Sequence, residues 1–246
     1  MLLVGQGALF FVEGPSGVSR VARGTDERRG ISLRAETVGV GIVGAVSEQD
    51  HYFTAQPASP DERRLLHVHL AGREVQVETA GGTFSPDHVD LGTRVLLDHV
   101  PAPPASGDLL DLGCGWGPIA LTLALESPGA QVWAVDVNER ALDLTRRNAE
   151  RLGASNVRAV RPEQVPDDVL FAAIWSNPPI RVGKVALHAM LTRWLGRRAP
   201  GGEAHLVVGK NLGADSLQRW IAAELDVAVD RTASAKGFRV LAVHDR

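Results

Sequence analysis

The sequence predicts an α/β fold: a mostly parallel sheet of seven strands, closed by an antiparallel C-terminal strand, with helices on both faces. Three observations predict it. From residue 108 onward, short apolar runs alternate with helical patterns, the signature of parallel strands joined by crossover helices. The first run leads into the glycine-rich stretch DLGCGWGPIA, a strand-to-helix turn. The last two runs are separated by a loop rather than a helix, so they pair antiparallel.

Residues 108–112 read as the first strand of this core. Residues 118–126 read as a helix, with Pro118 at the first helical position, where its missing N–H is no loss. A strand at 131–137 precedes a helix at 139–152, which carries Ala141, Leu144, Ala149 and Leu152 on one side, Asn138 as a cap and Gly153 at its end. Further strands are expected at 157–160, 169–175 and 204–208, helices at 187–195 and 215–224, and the closing strands at 226–231 and 237–243. Ahead of the core, 65–70 and 74–78 flank AGR as a hairpin, and 90–99 reads as helical before the linker PAPPASG. Residues 1–49 hold nine glycines and the segment VGVGIVGAV; they are expected to be an extension without an assignable role. Residues 50–246 form the functional domain, with 50–100 as its lead-in and 108–246 as its core.

Composition narrows the classes. The 246 residues are 44% hydrophobic, ordinary for a globular chain, and no apolar run approaches the roughly 18 residues of a membrane span. The opening MLLVGQGALFFVEG lacks a basic region and carries Glu13, so it is a poor secretory signal, and a soluble, cytoplasmic protein is expected. Cys114 is the single cysteine, which excludes an intramolecular disulfide and, with no second soft ligand beside it, argues against zinc. His67 and His69 share a strand face but lack a third ligand, so no metal is expected. The net charge of −3 offers no global attraction for nucleic acid. Residues 139–200, however, hold eleven arginines and lysines against six acids, a local surplus that also fits a solvated helix surface.

Three segments carry chemistry. Gly113, Gly115 and Gly117 let backbone approach a ligand closely, but a G-x-G-x-x-G fingerprint needs its third glycine at 118, and Pro118 disfavours a dinucleotide. Asp136 ends the next strand at the distance where an acid accepts from both hydroxyls of a ribose, and Glu163, after the third strand, is within reach of an adenine amine. SNPPI, residues 176–180, ends the fourth strand on the same sheet edge. Its prolines lack N–H groups and fix φ, so the strand must stop at a rigid loop.

In this order and spacing, DLGCGWG, VDVNERA and SNPPIRVGK resemble the S-adenosylmethionine-dependent methyltransferases of the small-domain group, the RsmC-type ribosomal RNA guanine-N2 enzymes. HYFTAQP and GGTFSPDHVDLGTRVLL resemble them too, so the similarity runs over about residues 50–244. The resemblance implies a Rossmann-like class I methyltransferase fold. It implies S-adenosylmethionine as cofactor, wrapped by Asp111, Gly113, Gly115 and Gly117, with Asp136 and Asn138 at the ribose, Glu163 at the adenine, and Thr93 at the same pocket. It implies catalysis by Asn177, Pro178 and Pro179, with substrate contacts from Ile180, Arg181, Lys184 and Lys210, and ribosomal RNA or the small ribosomal subunit as partner.

Chemistry supports the last step. An exocyclic amine on a nucleobase is a poor nucleophile because its lone pair is delocalised into the ring. The Asn177 side-chain oxygen and the Pro178 carbonyl each accept one amine hydrogen, favouring a pyramidal nitrogen aimed at the methyl. The sequence departs from the family at two points: Ile180 stands where many relatives carry an aromatic, and Glu163 where an Asp is usual. The five tryptophans, Trp116 among them in the glycine loop, read as core or pocket lining. Adenine N6, cytosine N4 or a glutamine amide remain alternative acceptors, and a non-catalytic cofactor-binding assembly factor is the rival from another class.

Overall fold

The computed structural model describes residues 61–246 and, ahead of them, two short strands, β1 (Leu9–Val12) and β2 (Arg20–Arg23), paired antiparallel. The chain divides into two units, Met1–Ala45 and Val46–Arg246. The rest of the expected 1–49 extension, and HYFTAQP, lie outside the described residues. No helix among the described residues is long and apolar enough to cross a membrane.

The described residues of the larger unit include first a hairpin, β3 (Arg63–Leu70) and β4 (Arg73–Ala80), joined through Ala71 and Gly72. Both turn residues have positive φ, the two-residue geometry whose twist matches that of the strands. Helix α1 (Leu91–His99) starts at Asp90, whose carboxylate accepts the Thr93 N–H at 3.1 Å as an N-cap. The core then runs β5 (Ser106–Leu112), α2 (Pro118–Glu126), β6 (Gly129–Val135), α3 (Glu139–Arg151), β7 (Val157–Val160), β8 (Phe171–Ser176), α4 (Lys184–Leu195), β9 (Arg198–Gly209), α5 (Ala214–Glu224), β10 (Ala228–Ala235) and β11 (Phe238–His244).

These seven strands form one sheet in the order β10-β11-β9-β8-β5-β6-β7. All pairs are parallel except those of β11, which runs antiparallel to both β9 and β10. Alternate residues face two cores. Leu109, Trp175, Val207 and Val240 pack on one face with residues of α1, α2 and α3, while Leu110, Ile174, Leu206 and Leu241 pack on the other with α4 and α5. Burial on both faces is why the central strands read as continuous apolar runs rather than as an alternation.

Chain order reverses between β5 and β8, so the loops after these neighbouring strands diverge to opposite faces and leave a crevice at their C-terminal ends. One hydrogen bond sets the spacing there: the buried Ser176 hydroxyl donates to the Leu112 carbonyl at 2.7 Å, joining the last residues of the two strands.

Boundaries shift where turn geometry overrides pattern. The fourth strand begins at Phe171, not 169, because the Val169 N–H closes a turn onto the Pro166 carbonyl. Helix α4 starts three residues early, at Lys184, after Gly183 turns the chain with φ 92°. Strand β10 runs to Ala235 rather than 231, paired through a tight turn to β11.

Gly117, with φ 98°, tests how closely the glycine turn packs on α3: a Cβ there would stand 2.9 Å from the Thr145 hydroxyl. Gly153 also has positive φ but open space around it. Ala at either position costs roughly 1–2 kcal/mol in backbone strain, and at Gly117 overpacking adds about 1–3 kcal/mol. Denaturant unfolding of Gly117→Ala is therefore expected to show the larger loss, and equal losses would refute the close packing.

Candidate active site

The crevice between β5 and β8 brings together three segments far apart in sequence. The glycine loop after β5 turns back over β6, with the Gly113 and Cys114 N–H groups both donating to the Val135 carbonyl. The Asp136 carboxylate, directly after β6, holds this loop: one oxygen accepts the Gly115 N–H and the other the Asn138 N–H, each at 2.9 Å. Each oxygen keeps a further lone pair for a hydroxyl donor. Burial pushes the Asp136 carboxyl above its usual range, against the N–H bonds that favour its charged form.

Asp111, near the end of β5, is wholly buried. One of its oxygens accepts the Ala120 N–H at 2.9 Å, and the other has no partner. Burial raises its pKa to about 8, with the nearby Asp136 charge adding to the shift. A buried, half-satisfied acid beside a second acid is a site waiting for positive charge. Cys114, also buried, has its thiol pushed up by burial, which leaves it unreactive at neutral pH.

The NPP loop meets the lead-in. The Asn177 side-chain nitrogen donates to the Asp90 carboxylate at 2.9 Å and to the Thr93 hydroxyl at 3.1 Å. A carboxylate has no hydrogen to give, so the amide must turn its NH₂ toward Asp90; the oxygen is then presented elsewhere and takes no hydrogen bond among the described residues. Pro179, with φ −74° and ψ 76°, is the centre of an inverse γ-turn in which the Pro178 carbonyl accepts the Ile180 N–H at 2.8 Å. That carbonyl keeps its second lone pair, and its direction is fixed by the turn.

A third wall comes from the loop after β4. Trp116, buried in the glycine loop, donates its indole N–H to the Ser85 carbonyl at 3.1 Å. Asn138 caps α3 through its side-chain oxygen and donates its nitrogen to the Gly82 carbonyl, while Arg140 donates to the Gly81 carbonyl. Asn148, buried in α3, bonds both the Glu78 backbone and the Trp116 carbonyl. This stitching leaves Phe84 47% exposed in the cleft that Gly113, Gly115, Thr93 and Asn177 line.

Of the residues singled out from sequence, Asp111, the three glycines, Asp136, Thr93, Asn177 and the two prolines converge on this edge. Asn138 reaches it, but its side chain is committed to the cap and to Gly82. Glu163 sits exposed in the short turn Pro162–Gln164, paired to Arg161 at 2.7 Å. Ile180 is half-buried, and Arg181, Lys184 and Lys210 are exposed beyond the loop. Asp90 and Phe84 escaped the sequence reading: one is an ordinary cap and the other an isolated aromatic, and only the fold brings them to Asn177. Exposed Val137, beside Asp136, escaped it as well.

An edge of this kind, with strand order reversing between a glycine loop and a stiff acceptor loop and with an antiparallel strand inserted near the end of the sheet, is that of a Rossmann-like methyltransferase. The model of the methyltransferase small domain matches residues 74–242, and the chain belongs to that family. It is 35% identical over 170 residues to the uncharacterised protein YbxB of Bacillus subtilis, covering 68% of this chain and 85% of that protein. It is 34% identical over 194 residues to ribosomal RNA small subunit methyltransferase C of Ectopseudomonas mendocina, 75% of this chain and 56% of that one. Among solved structures, the T. thermophilus 16S rRNA N2 methyltransferase RsmC, in complex with AdoMet and guanosine, superposes with a TM-score of 0.64 at 24% identity, over 77% of this chain and 52% of that one. The chain thus spans about half the length of its methyltransferase C relatives.

The family's cofactor is S-adenosylmethionine, and the residues present fit it. The orphaned Asp111 oxygen marks a centre short of positive charge, which the cofactor carries on its sulfonium and amine. Side chains at Gly113 or Gly115 would project toward Pro179 and Phe84, each 4.0 Å from the added carbon, and fill the cradle.

Asp111 also makes stability depend on pH. Its folded pKa of about 8 lies above its ordinary 3.8, so the folded protein binds the proton more tightly than the unfolded chain does. Its contribution is intact below about pH 4 and is lost as pH rises through about 8. In urea unfolding without cofactor, Asp111→Asn should gain on the wild type progressively between pH 5 and pH 8. A difference independent of pH would sink the assignment.

Proposed function

We propose that the protein methylates the exocyclic N2 amine of a guanine in ribosomal RNA of the small subunit. The observation that carries this reading is the Asn177 amide, its nitrogen held by Asp90 and Thr93 and its oxygen left without a partner beside a glycine cradle. Support for the substrate RNA comes from the methyltransferase C relatives, whose name specifies small-subunit ribosomal RNA.

The residues then divide the work. S-adenosylmethionine supplies the methyl on a sulfonium and leaves as S-adenosylhomocysteine. Asp111 answers its positive charge, Gly113, Gly115 and Gly117 let it sit against the backbone, and Asp136 accepts from the ribose hydroxyls. Exposed Val137 offers an apolar face to the adenine, with Glu163 available to its amine once Arg161 releases it. Asn177 and the Pro178 carbonyl each take one hydrogen of the guanine amine, localising its lone pair on nitrogen. The nitrogen–carbon bond forms as the carbon–sulfur bond breaks, and the surplus proton of the methylated nitrogen passes to water. Neither acceptor needs to be a strong base, because the proton leaves an already cationic amine.

Position 180 carries no aromatic, and Phe84 supplies the flat face from the lead-in loop instead. Stacking of a base on an aromatic contributes about 1–3 kcal/mol. Phe84→Ala is accordingly expected to raise the KM for RNA by roughly tenfold or more while S-adenosylhomocysteine binds as before. An unchanged KM would remove Phe84 from the base site.

Incubation with labelled cofactor and, separately, naked rRNA, 30S and 50S particles tests the reaction and the substrate class together. Asn177→Ala should abolish transfer while calorimetry still reports cofactor binding; full activity in that variant would falsify the reading. Thr93→Val separates two roles for its buried hydroxyl. As a positioning residue for Asn177 it should lower kcat and leave cofactor affinity unchanged, whereas a fall in cofactor affinity alone would assign it to the cofactor pocket.

A further inference from the structure

The C-terminal edge of the sheet is electrostatically lopsided. On the β6–β7 side, Arg161 is shared between Glu139 and Glu163, so charges there are matched. On the β9–β10 side, Arg231 and Arg239 are both tied to Asp215. Lys210 and Lys236, exposed on the same side, have no ion-pair partner among the described residues. Beyond the acceptor loop, Arg181 and Lys184 are likewise exposed and unpaired among those residues.

Lys210 and Lys236 sit on adjacent turns that are joined directly. The Lys210 N–H donates to the Gly237 carbonyl at 2.8 Å, locking the short turn Lys210–Leu212 against the β10–β11 hairpin. The hairpin closes through Lys236 and Gly237, with φ 50° and 81°. Positive φ at both positions is the type I′ signature, for which Asn, Asp or Gly is favoured first. A lysine there accepts backbone strain, and strain of that kind concentrates where a side chain is needed.

The hairpin is also coupled to the catalytic amide. Phe238, directly after the turn, packs on the first turn of α1, where a Cβ on Gly92 would lie 2.9 Å from its ring. The next residue, Thr93, holds Asn177. A ligand gripped at Lys210 and Lys236 is therefore referenced to the amide through packed atoms rather than through a loose loop.

We propose that the β10–β11 turn and the Lys210 turn form a phosphate clamp that takes the RNA backbone flanking the target nucleotide, so that the strand crosses the β9–β10 side of the edge and leaves the β6–β7 side to the cofactor. The clamp rests on the RNA methyltransferase reading above. It adds to that reading a direction of approach and Lys236, which carries no motif.

Salt-dependent binding of naked small-subunit rRNA tests the clamp. Each phosphate contact to a single strand contributes about 0.7 to the slope of log affinity against log salt. A Lys210→Gln, Lys236→Asn double variant should lose about 1.4 of that slope and bind the RNA at least roughly tenfold more weakly at low salt. Asn is preferred in the turn, so the second substitution cannot weaken binding by unfolding the hairpin. Lys236→Arg should retain the slope, and unchanged affinity for S-adenosylhomocysteine certifies the fold. If the double variant matches the wild type in slope and affinity, the clamp is wrong and the RNA reading stands. If the wild type binds rRNA with no salt dependence, the clamp falls alone, and if it does not bind rRNA at all, both readings fall.

Discussion

The proposed chemistry depends on which way one amide faces. Asn177 is followed by two prolines on the chain, but prolines restrict backbone and leave the side chain free to flip. Its orientation comes from Asp90, 87 residues earlier, whose carboxylate can only accept. The carboxylate is itself fixed by capping α1 through the Thr93 N–H, and the Thr93 hydroxyl takes the second amide hydrogen. Helix capping and the preorganisation of the proposed acceptor are here one set of hydrogen bonds. The lead-in that precedes the core is consequently part of the proposed active site and not merely a cover for the sheet.

The same edge shows stability yielding to function. Asp111 is buried with one oxygen unpartnered, beside a second acid whose burial also disfavours its charge. A structure selected for stability alone would place an apolar residue there. With its pKa raised to about 8, Asp111 keeps its proton in the empty site at neutral pH and ionises as a cation arrives, so part of the cofactor's binding energy offsets the loss of that proton. Coupling of this kind makes the ligand a stabiliser of the fold as well as a reactant.

The fold was legible in the sequence where local rules and burial agree. Helix α2 runs from Pro118 to Glu126 as expected, because a proline at the first position and an apolar run leave little alternative. Strand β7 at Val157–Val160 likewise keeps its expected bounds. Strand β10 was misjudged at both ends: AVDRTASA has no fully buried residue and, beyond Val229, only alanines on its apolar side, so little in the sequence marks its extent, and it is held by pairing to β11. The glycine loop and the acceptor loop were legible as motifs because backbone conformation confines their residue types. Asp90, Phe84 and Lys236 were not, since a cap, a lone aromatic and a turn lysine acquire meaning only from neighbours that the fold supplies.

The two loops at the switch point also need to keep a fixed separation, since methyl transfer requires donor carbon and acceptor nitrogen in line within a fraction of an ångström. Parallel strands alone do not guarantee that, because loops leave their ends in opposite directions. The Ser176 hydroxyl answers this by bonding the Leu112 carbonyl, the last backbone group of β5 before the cradle, from the residue directly before Asn177. The γ-turn at Pro179 then carries the register forward to the Pro178 carbonyl. Cradle and acceptors are thus set against each other by backbone geometry before any ligand binds.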